Sequence, residues 1–169
     1  MTAVVLREPR PGDGAALARM AEENASYYAE RFPQDFRVPD EEGRVEFMEP
    51  APGESTETFL ALVAELDGEL VGYLEAELLP PLETARYQSN PELGERRLFI
   101  NYVGTRPQFW RRGVATKLVQ AAEEWGRERG ATIALCDTYL DSPVSLPFWE
   151  ERMGYRRRSV RLTKRLAQR

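Results

Sequence analysis

The sequence predicts an α/β protein whose central sheet is mixed, mostly antiparallel and carries helices on both faces. Three observations carry that prediction. Two apolar-rich runs are joined by Asp67-Gly68, a hairpin turn that makes their pairing antiparallel. A strand from Leu98 turns directly into an amphipathic helix, with another strand after it, which requires a parallel pair and a right-handed crossover. The full order reads β-α-(α)-β-β-β-α-β-α-β, an alternation that suits one layered domain over residues 1–169.

Taken in order, Val4 to Arg7 is a short first strand. Asp13 is placed to cap a helix that runs through Ala16, Leu17, Met20 and Ala21 to Tyr28. The aromatic residues Tyr27, Tyr28, Phe32 and Phe36 cluster at its end. Residues 33–57 are rich in Pro, Gly and Glu and read as a mobile loop, with a short helix near Val45 to Met48. A loop of this length commonly serves function, and here it is assigned to acceptor specificity. Thr58 to Glu65 and Leu70 to Leu78 are the hairpin strands. In the second, Gly72, Leu74, Ala76 and Leu78 alternate with Tyr73, Glu75 and Glu77, so one face is apolar and the other carries two carboxylates. Pro80 to Gly94 is a loop. Thr132 to Tyr139 is a fifth strand, Ser145 to Arg152 a short helix, and Tyr155 to Leu162 a last strand.

The segment Leu98 to Gly126 organises the rest. Its strand turns at Gly104 to Pro107, and an Arg-Arg-Gly-Val-Ala run opens a helix whose apolar positions are Val114, Leu118, Val119, Ala122 and Trp125. The first turn of such a helix presents unpaired N–H groups and the positive end of the macrodipole. With Arg111, Arg112 and Lys117 around it, this is an anion cradle suited to a pyrophosphate. Neither G-x-x-x-x-G-K-[ST] nor G-x-G-x-x-G is present, so the residues do not support triphosphate or dinucleotide binding.

Val103-Gly104-Thr105-Arg106-Pro107, followed by Arg112-Gly113-Val114-Ala115 and the helix, resembles the acyl-CoA motif of the GNAT superfamily of N-acetyltransferases. Gly113 and Ala115 match its last fixed positions, and Trp110 stands where the family has Arg or Gln. Ser142 to Tyr155 is similar to the family's second motif, N-x-x-A-x-x-F-Y-E-x-x-G-F, with Ser142 in place of the Asn and Trp149 in place of the Tyr. The resemblance implies the acyl-CoA N-acyltransferase fold and acetyl-CoA as co-substrate. It implies that the main chain of Val103, Gly104 and Thr105 pairs with the pantetheine arm. The amides of Arg111, Arg112, Gly113, Val114, Ala115 and Thr116 would hold the pyrophosphate, and Ser142 would keep one hydrogen bond to CoA. It also implies a backbone oxyanion donor near Val103 or Thr105, set by a bulge at Gly104. Asp137 falls where some relatives carry a catalytic glutamate, and Glu75 and Glu77 are the other candidates for the base. With Trp149 at the tyrosine position, the general acid would be Tyr139 or Tyr102.

Composition bounds the chemistry. There is no histidine and one cysteine, Cys136, which excludes Ser-His and Cys-His nucleophile systems, an internal disulfide and histidine metal sites. No metal is expected. Cys136, on an apolar strand, reads as inert core. The N-terminal run does not read as a signal peptide and no stretch approaches the roughly 20 apolar residues of a membrane span, so a cytoplasmic protein without membrane contact is expected. The net charge of −5 divides into −14 over residues 1–95 and +9 over residues 96–169. A polyanion such as CoA suits the basic half and a cationic amine the acidic half. Arginine outnumbers lysine 21 to 2, which agrees with a GC-rich bacterial genome. The chain is expected to act as a monomer or homodimer.

Three readings result: transfer of acetyl from acetyl-CoA to a primary amine by direct attack; a CoA-binding module with little catalysis, motivated by Trp149 and Ser142; and nucleic-acid binding by the basic tail, Arg156 to Arg165. The alternation of Val160 and Leu162 with Arg161 and Thr163 favours a charged edge strand over the last, and no nucleic acid is expected as a partner.

Overall fold

The computed structural model describes residues 3–166, which divide into two compact units at Asp137/Thr138.

The first unit is one five-stranded sheet in the order β1 (Val5–Arg7), β2 (Phe59–Leu66), β3 (Glu69–Leu79), β4 (Arg97–Thr105), β5 (Ile133–Cys136). The first three pairings are antiparallel and β4–β5 is parallel. Asp67 (φ 55°) and Gly68 (φ 79°) both take the left-handed conformation at the hairpin tip, the geometry that matches strand twist.

Two helices pack on opposite faces of this sheet. Helix α1 (Gly14–Arg31) lays Leu17 and Met20 on Ala61, Val63 and Tyr73. Helix α3 (Val114–Glu128) lies on the other face, where Gly72 allows the close approach: a Cβ there would stand 2.7 Å from Val114 Cγ1 and 3.0 Å from Leu118 Cδ1. The predicted alternation of β3 is therefore the division between the α1 face and the α3 face.

Asp13 stands at the N-cap position of α1, yet its carboxylate is used elsewhere. It accepts from Arg7 at 2.7 and 3.0 Å and from the Arg10 amide. The start of the helix is served by Glu49, which accepts from the amides of Gly12, just before the cap (2.5 Å), and of Gly14 (2.9 Å). Residues 33–57 are thus tied down in three places: Arg44 of the short helix α2 (Arg44–Phe47) to Glu22, Glu49 to α1, and Ser55 to β2.

The second unit, 138–166 as described, begins with a turn in which Ser142 Oγ accepts from the Ser145 amide at 2.9 Å. A single helical turn, α4 (Ser145–Pro147), runs into a π-helical turn over Phe148–Arg152. Trp149 is buried and its ring meets those of Phe148 and Tyr155. The predicted strand from Tyr155 to Leu162 is absent: residues 154–166 have no regular structure, and Val160 and Leu162 are 65% and 89% exposed. Alternation alone does not make a strand. It needs a neighbour to complete its ladder, and no described strand pairs with this segment, while Arg157 turns to Glu150 at 2.6 and 2.9 Å. The alternation argument against nucleic-acid binding lapses with it.

Candidate active site

The predicted Thr132–Tyr139 strand is half that length. Pairing of β4 with β5 runs only from Arg97/Ile133 to Ile100/Cys136. The next residue of β4, Asn101, is a bulge: Tyr102 pairs with Glu75 and Ile100 with Ala76, leaving Asn101 without an opposite number. Beyond it β4 continues to Thr105 on β3 alone, so the edge from Asn101 to Thr105 that faces away from β3 has no strand partner in this unit. The bulge was expected at Gly104. It forms three residues earlier because this type needs no left-handed residue, and Gly104 has another task. Tyr102 folds back over it, and a Cβ at Gly104 would stand 2.3 Å from the tyrosine hydroxyl. Tyr102 as a whole is 37% exposed, with its hydroxyl over Gly104.

After Thr105 the chain makes a 3₁₀ turn at Pro107–Phe109 and enters α3 through two left-handed residues, Arg111 (φ 62°) and Gly113 (φ 80°). A left-handed arginine costs about 1–2 kcal/mol, strain of the kind that gathers at functional turns. The first hydrogen bond closing the helix is from the Lys117 amide to the Gly113 carbonyl. The amides of Arg111 through Thr116 therefore have no backbone acceptor among the described residues, and no side chain caps the turn. Arg111 and Arg112 are exposed beside them. A run of free donors at the positive end of a 15-residue helix suits a phosphate group, so the residues present fit the pyrophosphate of CoA.

Trp110 explains how the turn holds without the family's Arg or Gln. Its indole N–H donates to the Thr105 carbonyl at 2.7 Å and its ring meets Tyr27 edge-on at 4.7 Å. Arg106, nearly buried, donates to Glu23 of α1 at 2.7 and 2.8 Å and pairs with Glu69 of β3. The hydroxyl of Thr105 is buried without a protein partner.

On the α1 face, next to the bulge, stands a cluster that sequence reasoning saw only in part. Tyr73 is buried and its hydroxyl donates to Glu75 Oε1 at 2.7 Å. Burial, then that bond to Glu75, pushes the tyrosine pKa far up, so the hydroxyl stays a donor. The Tyr102 ring lies 6.1 Å from that of Tyr73, and burial of its hydroxyl, then the charge of Glu75, pushes its pKa up to about 12. Glu54 faces the same group: burial first and Glu75 second raise its pKa. Glu77 lies one step along the strand, where it accepts from Asn101 at 2.9 Å.

Asp137 is exposed and directly follows the last β4-paired residue. Tyr139 and Ser142 belong to the second unit, and there the Ser142 hydroxyl caps the turn into α4. The first unit thus brings together Glu75 and Tyr102 at the bulge, and in the stretch that follows it Val103 to Thr105 and Arg111 to Thr116. Glu54 and Glu49 escaped prediction because the groups they meet, Glu75 and the amides of Gly12 and Gly14, lie far away in sequence, and Tyr73 because nothing local shows that its hydroxyl turns to Glu75 two residues on. The only signal was that Tyr73 shares a strand face with Glu75.

No curated protein matches the chain. Among solved structures it is similar to a transcriptional regulator from Bacillus halodurans C-125, at 22% identity over 97% of this chain and 100% of that one, TM-score 0.69. It is also similar to an aminoglycoside N-acetyltransferase in complex with CoA (16%, 98% and 96%, TM-score 0.60). A third is a ribosomal-protein-alanine N-acetyltransferase from Brucella melitensis biovar Abortus 2308 (18%, 98% and 100%, TM-score 0.59). At these identities the likenesses establish the fold. The model of the Acetyltransferase (GNAT) family matches residues 17–155, from the first helix through the second motif. With the bulged and half-paired β4, the free amides of α3 and a family match over most of its length, the chain belongs to the acetyltransferase (GNAT) family.

Proposed function

We propose that this protein transfers an acetyl group from acetyl-CoA to a primary amine by direct attack. The observation that carries the reading is the continuity of unpaired main chain, from the free edge of β4 at Asn101–Thr105 to the free amides at Arg111–Thr116. When bound, acetyl-CoA supplies an acetyl group activated as a thioester. The main chain of Val103, Gly104 and Thr105 would pair with its pantetheine arm as an added strand, and the amides of Arg111 to Thr116 would hold its pyrophosphate. A main-chain N–H at the bulge would polarise the thioester carbonyl.

Glu75 takes the proton from the acceptor's ammonium group. We place it ahead of Asp137 because a buried tyrosine holds its carboxylate in one orientation beside the bulge, whereas Asp137 is exposed. Tyr102, protonated up to a pKa of about 12, is the donor for the departing thiolate, with Tyr139 the other candidate. The acidic first half of the chain favours a cationic acceptor from solution or a peptide N-terminus. The protein is expected to act in the cytoplasm.

Thiol release from acetyl-CoA, measured over polyamines, aminoglycosides and short peptides, tests the reaction. Glu75→Gln should lower kcat by about 10²-fold or more while CoA binding persists, and Asp137→Asn should keep most of the rate. The reverse pattern would move the base to Asp137. One observation favours a second reading, a CoA-binding module: Trp149, with no ionisable group, is buried at the family's tyrosine position. That reading predicts calorimetric binding of CoA with no thiol release for any amine.

A further inference from the structure

We propose that Glu54 is a second carboxylate of the acceptor site, binding the substrate's primary ammonium group together with Glu75. The proposal rests on the acceptor role of Glu75 given above.

The placement of Glu54 is set by its neighbour. Ser55 Oγ accepts from the Ala61 amide at 3.1 Å and donates to the Ala61 carbonyl at 3.3 Å. Ala61 in turn is the cross-strand partner of Glu75. The residue after Glu54 is therefore clipped to the row of the sheet that carries Glu75. The segment cannot drift from there, because the Thr56 amide donates to the Phe59 carbonyl at 2.7 Å and Thr56 Oγ1 accepts from the Phe59 amide at 3.1 Å.

What Glu54 does at that place is indicated by what it lacks. Its Oε2 is buried and has no hydrogen-bond partner. Neither Glu54 nor Glu75 forms an ion pair among the described residues, although Arg7, Arg44 and Arg106 of the same unit all do. The titratable groups around the pair are Tyr73 on β3, Tyr102 on β4 and, beside Tyr102, Tyr28 on α1. None of these is a cation. Two neighbouring carboxylates, one with an oxygen withdrawn from water and undonated, are costly to the fold unless something else completes them. A primary ammonium group has one positive charge and three N–H donors. It can serve both carboxylates at once, leaving one N–H for the main chain at the bulge. A tertiary ammonium, with one N–H, cannot, and a hydroxyl acceptor brings no charge. Specificity for an unhindered primary ammonium follows, with both carboxylates holding the cation and Glu75, oriented by Tyr73, placed to take its proton.

The test uses the full chain and steady-state thiol release, with 1,4-diaminobutane, an aminoglycoside and an alanyl peptide as probes. With the best acceptor, Glu54→Gln should raise the amine KM by about tenfold or more with little change in kcat or in the KM for acetyl-CoA. Its thermal midpoint should equal or exceed that of the wild type, since a charge that partial burial disfavours has been removed. A structural residue would behave the opposite way. Ser55→Ala should reproduce the raised amine KM in milder form. An unchanged amine KM in Glu54→Gln overturns the proposal, as does a raised KM accompanied by a lowered midpoint and a raised KM for acetyl-CoA. If Glu54→Gln raises the amine KM while Glu75→Gln keeps its kcat, the base assignment fails and the ammonium site stands. If Glu75→Gln collapses kcat while Glu54→Gln is silent, the converse holds.

Discussion

Gly72 lies where β3 passes beneath the first turns of α3, and its replacement by alanine measures how tightly that helix is seated. The new Cβ would stand 2.7 Å from Val114 Cγ1, 3.0 Å from Leu118 Cδ1 and 3.3 Å from Ala64 Cβ. Ordinary carbon contacts are about 3.5–4.0 Å, so the helix must lift by several tenths of an ångström to about 1 Å at Val114. Overpacking of this kind costs about 1–3 kcal/mol, and the loss of glycine freedom in the unfolded chain returns about 0.4–1, for a net loss of about 1–2 kcal/mol. Val114→Ala removes two methyl groups from a residue that is 1% exposed, for a loss of about 2 kcal/mol. Were the sites independent, the double variant would lose about 3–4 kcal/mol. They are not, because one of the methyls deleted at Val114 is the atom the new Cβ strikes, so the double variant should retain about 1–2 kcal/mol relative to the sum. Urea unfolding with a common m-value gives the comparison, and calorimetry with CoA should show weaker binding in Gly72→Ala, recovered in the double variant. Additivity within about 0.5 kcal/mol would refute the seating argument, and with it the idea that Gly72 positions the free amides.

Tyr73→Phe removes the donor to Glu75 and leaves the ring in the core. A bond to a charged group is worth about 1.5–3 kcal/mol, so kcat should fall about 10–100-fold with little change in the amine KM, as read by thiol release. Equal losses with Tyr73→Phe and Tyr73→Leu would instead assign the effect to packing. Cys136, whose pKa burial and then Asp137 push up to about 12, should resist a thiol reagent at pH 8 in the native protein and react at once in urea; rapid native labelling would contradict its placement. Arg7 holds the Asp13 carboxyl below the usual carboxylate range, so the folded state keeps this carboxylate ionised where the unfolded chain is protonated. That stabilisation is present above about pH 4 and lost as pH falls through the lowered folded value. Asp13→Asn should therefore be less stable by about 2 kcal/mol near pH 7 and show a shallower acid decline in melting curves.

What could be read from the sequence was local. Asp67-Gly68 demanded a hairpin because both positions take positive φ. The alternation along β3 survives because it divides two packed faces. The Gly113 start of α3 was legible because the apolar period begins with Val114. Glu75 was visible as a carboxylate on a polar face, but Tyr73 was visible only as its companion there, with no sign that the hydroxyl would turn toward it. Glu54 was one acidic residue among many in a Pro- and Gly-rich loop, and the clip at Ser55 joins positions six apart through a strand edge that no periodicity encodes. Gly104 drew the bulge to the wrong residue because glycine is read as freedom, whereas here it makes room for a tyrosine. The C-terminal alternation misled for the reverse reason: a correct local pattern had no neighbour to pair with.

Glu49 has a consequence for anyone wishing to redirect this enzyme. The loop that carries Glu54, the residue proposed for the acceptor site, is the segment to exchange between homologues in a test of acceptor choice. Yet Glu49, midway along it, neutralises the amides that open α1. A transplant spanning 33–57 would uncap a helix on the far side of the graft and be mistaken for a failed specificity change. Restricting the exchange to 50–57, or carrying a glutamate at 49 in every donor segment, separates the scaffold's needs from the pocket's.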